Sequence, residues 1–570
     1  MTKYIFVCGG VMSGIGKGIT TSSIARVLKD DGFSVTVAKI DPYFNVDAGK
    51  LNPVVHGEVF VTDDGTEADQ DLGNYERFLE QDMGRDNIMT SGSVYRSVIE
   101  RERNLEYGGK DVQMMSDIPD EVIRRLKKLA KNSKVDFVLV EIGGTAGDVE
   151  NLVFLEAARV LKLADPQHVL FVLVSYLPVL NNTGEMKSKP TQHAVRALSS
   201  VGIQADIIIA RASVPMDQPR KEKISRLCNV MPEDIISAPD VGSIYEVPLN
   251  FERDHIVDRI LHKVKLKPKR HNHAVWRRLV RSIHRVKKSV RIAIVGKYFT
   301  SGDFALTDSY LSVLEAVKHA SWAQGCKPQI IWVSAETYEK NPAKLKDLKQ
   351  FDGVIIPGGF GGRGIDGKVA VIKYLREHNI PFLGLCYGLQ LAVVEYARNV
   401  VGLKKAHTTE IDRKTPYPVI DTLPDQVAKI INKQLGGTMR LGAYDCKLKA
   451  GSVVRKLYGK EMISERHRHR YEVNNAYKKQ LEDAGLVISG VNPKTNLAEM
   501  IELPEHKFFV GTQAHPELKS RPLHPHPLFV GLIKACLPAG GDEKITAKSL
   551  RYRRVTLGRR KHGLAVLKKD

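Results

Sequence analysis

Tyr4-Ile5-Phe6-Val7 runs directly into Cys8-Gly9-Gly10-Val11-Met12-Ser13-Gly14-Ile15-Gly16-Lys17-Gly18, and Ile24, Val27 and Leu28 then recur at helical spacing. The stretch reads as strand, glycine loop and helix. Glycines let backbone N–H groups turn inward, the helix N-terminus adds positive field, and a lysine reaches the outer phosphates. A nucleotide phosphate site is therefore expected here. Two details depart from the standard phosphate loop. The interval before Gly16-Lys17 is one residue longer, and Gly18 stands where a magnesium-binding Ser or Thr is usual. Either Thr20 or Thr21 replaces that hydroxyl, or other residues hold the magnesium.

Working outward, the whole chain of 570 residues is too long for one core, so two or more domains are expected. Its 43% hydrophobic and 26% charged residues are ordinary for a globular enzyme. No apolar run is long enough to span a bilayer and no signal peptide is visible, so no membrane partner is expected. Cys8, Cys228, Cys326, Cys386, Cys446 and Cys536 are scattered without a C-x-x-C pair. That argues against structural zinc and a disulfide framework, and suits a reducing cytoplasm. Much of the net charge of +21 lies in Lys263 to Arg291, which has no acidic residue, and in the tail Lys544 to Lys569. Neither carries a nucleic-acid fold signature, so a solvated linker and tail is the reading, and nucleic acid is not expected as a partner.

The first half continues as a doubly wound α/β pattern, with apolar strands at Ser34–Ile40, Asp136–Val140, Val169–Val174 and Asp206–Ala210 separated by helical segments. Nucleotides then bind at the C-terminal ends of those strands. Glu141 closes one strand beside the loop, the usual place for a magnesium ligand, and Asp71 is a second candidate. Lys187-Ser188-Lys189-Pro190-Thr191-Gln192 reads as an extended, proline-stiffened segment suited to a second polyanion. Between the halves, Trp276, Leu279, Val280, Ile283 and Val286 recur among Arg and Lys, giving an amphipathic linker helix over 263–289.

The second half, 290–536, starts fresh strands at Val290–Gly296 and Phe351–Ile356, the latter ending in Pro357-Gly358-Gly359-Phe360-Gly361-Gly362-Arg363-Gly364. Then Gly384-Leu385-Cys386-Tyr387-Gly388 is a nucleophile elbow on a strand-to-helix turn, expected to present the sulfur in the open at a helix N-terminus, where thiolate is favoured. A nucleophile needs a base and an orienting acid. Downstream, Phe508 to Thr512 runs into Gln513-Ala514-His515-Pro516-Glu517. Positions two apart in extended chain share a side, so His515 is placed to meet Cys386 while Glu517 holds the imidazole.

These motifs, with His56-Gly57-Glu58-Val59-Phe60-Val61, Lys187 to His193, Gly436 to Gly442 and Glu465 to Asn474, resemble the CTP synthase family over Lys3 to about Ala535. In that family an amidoligase domain (here 1–262) precedes a class I glutamine amidotransferase, both doubly wound α/β, and the tail 537–570 is not covered. The resemblance implies that ATP phosphorylates the 4-oxygen of UTP and that ammonia from glutamine displaces the phosphate to give CTP. It places Ser13, Gly14, Ile15, Gly16, Lys17, Gly18, Ile19, Lys39, Arg211, Asp240 and Val241 around ATP, and Asp71 and Glu141 on Mg2+. Ser13, Gln113, Lys187, Lys189, Gln192 and Lys223 match the UTP side, and Asp148 and Glu150 the feedback inhibitor CTP. Gly359, Tyr387, Gly388, Leu389, Gln390, Glu410 and Arg470 match the glutamine site, while His56 and Val59 match the mouth of an ammonia tunnel. The family also implies GTP as activator, a homotetramer with UTP sites shared across subunits, and stacking into filaments. This sequence departs from the pattern at Gly14, at Gly109 and Lys110, at Met115 to Ile118 and at Leu311, while Arg363 is kept. A cobyrinate-type amidase shares both modules, but Lys187 to His193 suits a nucleoside triphosphate acceptor. A paralogue that binds without turnover is the other alternative, against which the full triad and both lysines count.

Overall fold

Alternate residues of the first strand, Lys3–Gly9, enter different cores: Tyr4, Phe6 and Cys8 on one side, Ile5 and Val7 on the other. That is the consequence of period-two geometry in a strand covered on both faces. In the computed structural model, which describes residues 1–180, 184–269, 272–297, 300–301, 304–305, 307–422, 426 and 437–538, seven strands share this sheet. Their order is Ile88–Thr90, Val35–Asp41, Phe137–Ile142, Lys3–Gly9, Val169–Tyr176, Ile207–Ala212, Ile235–Pro239. All pairings are parallel. Helices Lys17–Asp30, Asp71–Leu79 and Ile256–Lys263 cover one face, and Asp117–Ser133, Leu152–Ala164 and Lys189–Ser200 the other. The strand order reverses beside Lys3–Gly9, so the glycine loop opens at the switch point, where ligands bind.

A second sheet of nine strands follows. Cys326–Ser334, Lys288–Gly296, Gly353–Ile356, Phe382–Leu385 and Phe509–Thr512 are parallel neighbours. Ala498–Glu502, Val487–Val491, Arg440–Leu448 and Met462–His469 extend it antiparallel, so this half is a mixed sheet rather than a purely parallel one.

The linker differs from one continuous helix. Helix Ile256–Lys263 ends, Lys265 takes φ +51° and Pro268 follows, and a second helix spans Ala274–Arg285. Proline removes a helical donor and restricts its predecessor, which accounts for the break. Trp276 of the second helix is fully buried against Phe78 and Tyr245, donates from Nε1 to the Tyr245 carbonyl at 2.8 Å, and lies under the Arg26 guanidinium. Among the described residues no helix is long and apolar enough to cross a membrane. The basic tail falls outside the described residues from 539 onward.

Candidate functional site

The glycine loop joins its strand to helix Lys17–Asp30, with Gly16 as the helix cap at φ +85°, a left-handed conformation that favours glycine. Lys17 Nζ donates to the Gly144 carbonyl at 2.7 Å, and Lys39 Nζ contacts Asp71 at 2.5 Å and Glu141 at 2.9 Å. Tyr75 Oη donates to the other oxygen of Glu141. Burial pulls Lys17 below its ordinary lysine value, opposed by Glu141. Burial acts the same way on Lys39, but Asp71 and Glu141 outweigh it and hold its ammonium well above that value. Burial raises Asp71, and Lys39 more than reverses it. A Cβ built on Gly18 would lie 2.1 Å from Asp71 Oδ1. The Asp71 carboxylate thus fills the space that the usual loop Ser or Thr would take, which explains the glycine. Of the two threonines that follow, Thr21 has its Oγ1 buried without a hydrogen-bond partner.

A cavity of 1060 Å³ collects Ser13, Gly14, Gly16, Lys17, Gly18, Ile19, Lys39, Asp71, Glu141, Val241 and His56. Ile15 instead buries its side chain in the core. Arg211 and Asp240 pair with each other at 2.9 Å next to Val241. Among the described residues there is no group of three or more His, Cys, Asp or Glu fit for a metal. Two converging carboxylates nonetheless suit magnesium, which takes one or two carboxylates together with substrate phosphates.

The remaining first-half residues lie apart from this cavity. Gln113 and Lys223 are exposed, and Lys187 pairs with Glu185 at 2.5 Å. Lys189 to Gln192 form the first turn of helix Lys189–Ser200 rather than an extended segment. Pro190 is the reason: its missing N–H and fixed φ suit a helix start. Gln192 donates to Ser188 Oγ at 3.1 Å. Asp148 accepts the Thr145 N–H at 2.6 Å, and Glu150 is exposed. Two of the departures meet: Lys110 Nζ contacts Asp117 at 2.7 Å, so those substitutions accommodate one another.

Cys386 caps helix Tyr387–Asn399 at φ +49°. A Cβ on Gly388 would meet the Ile356 carbonyl at 2.2 Å, so the turn closes only with glycine there. The sulfur is not in the open, since Cys386 is 4% exposed. It faces a cavity of 440 Å³ with Gly359, Gln390, Glu410, Arg470, His515 and Glu517. His515 Nδ1 and Glu517 Oε1 are 2.7 Å apart, although Pro516–Lys519 is a turn of 3₁₀ helix rather than extended chain. Burial lowers the His515 pKa, but Cys386 and Glu517 outweigh it and raise it well above the ordinary value. Gly358 packs against the imidazole, where a Cβ would lie 2.7 Å from Cε1. Gly361 donates to Glu410 at 2.6 Å and accepts from Tyr387 Oη at 3.2 Å, which fixes the glycine loop over the elbow. Gln390 donates to the Tyr471 carbonyl at 2.7 Å, and Arg470 to Gln426 at 2.6 Å. The Tyr387 and Leu389 side chains enter the core.

Several participants escaped sequence reasoning. Gln513 donates to Cys386 Sγ at 3.7 Å. Arg466, fully buried, grips Glu76 with two nitrogens at 2.8 and 3.0 Å, and its carbonyl accepts the His515 N–H at 2.8 Å. Glu76 belongs to the helix that starts at Asp71. The two sheets are thereby joined at a buried ion pair between the cysteine site and the carboxylate site.

Residues 3–266 match the family model described as CTP synthase N-terminus, and 305–535 match glutamine amidotransferase class-I. A CTP synthase of Pyrococcus furiosus is 50% identical over 96% of this chain and all of that protein. One from Methanosarcina acetivorans is 49% identical over 94% of this chain and 98% of that protein. The structure of a Trypanosoma brucei CTPS glutaminase domain with bound acivicin is 38% identical, covering 43% of this chain and 93% of that one, with a TM-score of 0.40. By its near-complete match to such relatives, the chain belongs to the CTP synthase family of ligases, with a glutamine amidotransferase portion.

Proposed function

We propose that the chain aminates UTP to CTP with ATP and with ammonia cut from glutamine. The observation that carries this reading is the pairing of two cavities that approach each other at His56–Val59. One has the phosphate loop and its lysines; the other has Cys386, His515 and Glu517. Cys386 attacks the side-chain carbonyl of glutamine, and the backbone N–H groups of Gly359 and Tyr387 receive the oxyanion. His515, kept in place by Glu517, gives its proton to the leaving nitrogen, and water then frees glutamate from the thioester. Lys17 and Lys39 hold the ATP phosphates, with the base toward Val241, Arg211 and Asp240. A magnesium ion held by Asp71 and Glu141 would screen phosphate charge there.

The γ-phosphoryl group passes to the 4-oxygen of UTP, and ammonia entering past Val59 and His56 displaces it. Gln113, Lys187, Lys189, Gln192 and Lys223 contact UTP, and the exposure of Gln113, Lys189 and Lys223 on a single chain suits a homotetramer whose UTP sites are completed by a neighbour. CTP inhibits through Asp148 and Glu150, GTP activates through the loop carrying Arg363, and the enzyme works in the cytoplasm. UTP labelled with ¹⁸O at position 4 tests the phosphorylated intermediate. The label is expected in the inorganic phosphate released with CTP, and its retention in water or UTP alone refutes this route.

A further inference from the structure

The stretch between the two cavities alternates its allegiance. His56 and Gly57 line the phosphate-loop cavity, Glu58 and Val59 line the Cys386 cavity, and Ser309 borders both. Three carboxylates border the Cys386 cavity. Glu517 is engaged with His515 and Glu410 with the Gly361 N–H. Glu58 is fixed by one edge: its Oε2 accepts the Ser312 N–H at 3.0 Å and the Ser312 hydroxyl. Ser312 lies in the first turn of helix Leu311–Ala323, and Arg77 Nη1 donates to its hydroxyl at 3.4 Å. Among the described residues no hydrogen bond reaches Glu58 Oε1. Burial pushes this carboxyl up to about 7, against the Ser312 hydroxyl and with the Glu517 charge.

We propose that Glu58 binds the ammonia released at Cys386 and passes it across the segment to the His56 side. The inference rests on the reaction proposed above. Ammonia leaving the thioester site carries three N–H donors along part-buried walls, where unpaired donors are costly. A carboxylate oxygen clamped by its sister atom offers a charge-assisted hydrogen bond at the point where the two cavities approach. Ammonia leaves neutral after taking the His515 proton, so binding at Oε1 needs no proton transfer and keeps the lone pair available for UTP. A purely structural role, holding Ser312, is the competing account.

The test measures glutamate and CTP together in glutamine-fed reactions, and CTP from ammonium on the same samples. In the wild type the two products should be close to stoichiometric. Glu58→Gln, which keeps shape and the Ser312 contact but loses the charge, should lower CTP per glutamate by about fivefold to tenfold. Ser312→Ala, which loosens the clamp and keeps the carboxylate, should lower the ratio less. An unchanged ratio in Glu58→Gln, including equal falls in both products, overturns the proposal. Loss of the ammonium reaction in Glu58→Gln overturns it too, because the residue would then serve the fold or the UTP site. A wild-type chain that makes no CTP from ammonium refutes the parent reaction, and with it any ammonia route.

Discussion

Replacing Gly18 with alanine puts a methyl carbon 2.1 Å from Asp71 Oδ1 and 2.7 Å from its Cγ. The backbone there tolerates the change, since Gly18 is not among the residues of positive φ. Relief must come from the Asp71 carboxylate, which has to retreat by roughly 1 Å, a misplacement that can cost about 100-fold in rate. That carboxylate is tied to Lys39 at 2.5 Å, so its retreat also disturbs the lysine meant for the phosphates. The expected loss in ammonium-driven CTP formation is therefore about 100-fold, equivalent to about 2.7 kcal/mol of barrier. Unfolding temperature should stay near wild type, because the yielding group is a side-chain end rather than core. Glutamate release measured without nucleotides should also be unchanged, since Cys386 and its partners are untouched. CTP formation within about threefold of wild type would refute the claim that Asp71 occupies the missing hydroxyl's place in the working site.

Arg466→Ala leaves Glu76 buried with Arg521 as its remaining arginine, and should destabilise the fold by about 3–5 kcal/mol in denaturant unfolding. Replacing Glu76 and Arg466 together by methionine should recover most of that loss, and equal losses in single and double variants would contradict the ion-pair account. Glu315 has its carboxyl held down to about 2: burial would raise it, but Lys318 and His319 outweigh burial. Because its pKa is depressed on folding, its contribution, of order 3 kcal/mol, is full above about pH 4.5 and fades as pH falls toward 2. Glu315→Gln should flatten the acid limb of stability against pH in that window, and an unaltered limb would contradict the assignment. Glu517→Gln removes one of the two charges that raise His515, so the pKa of His515 should fall in a titration followed by NMR.

What was legible in the chain was what neighbours in sequence decide. The strand-loop-helix at Tyr4 to Leu28 and the elbow at Gly384 to Gly388 are local patterns, because glycine placement and apolar spacing fix those turns without distant help. The distant His-x-Glu pattern points to the side chains that the structure brings beside Cys386, although the pair closes through a 3₁₀ turn. Exposure was misjudged for the same reason that Gln513 and Gly358 were missed. The cover over Cys386 comes from the neighbouring strands Gly353–Ile356 and Phe509–Thr512, and pairing between distant strands is not written in either strand alone. Arg466 and Glu76 lie hundreds of positions apart, and a buried arginine looks like a surface one until its partners are known. Proline stiffens an extended segment and starts a helix equally well, so Pro190 alone does not tell the two apart; helix Lys189–Ser200 is what forms.

The central claim is that one chain joins a glutaminase to an ATP-driven amination of UTP, with Cys386 serving the first alone. The most direct measurement follows the conversion of UTP to CTP by absorbance, with ATP and magnesium, for the wild type and Cys386→Ala, fed first with ammonium and then with glutamine. The account predicts that the wild type makes CTP from both, and that Cys386→Ala keeps the ammonium reaction and loses the glutamine one. CTP formation from glutamine in Cys386→Ala, or no CTP from either nitrogen source in the wild type, would contradict it.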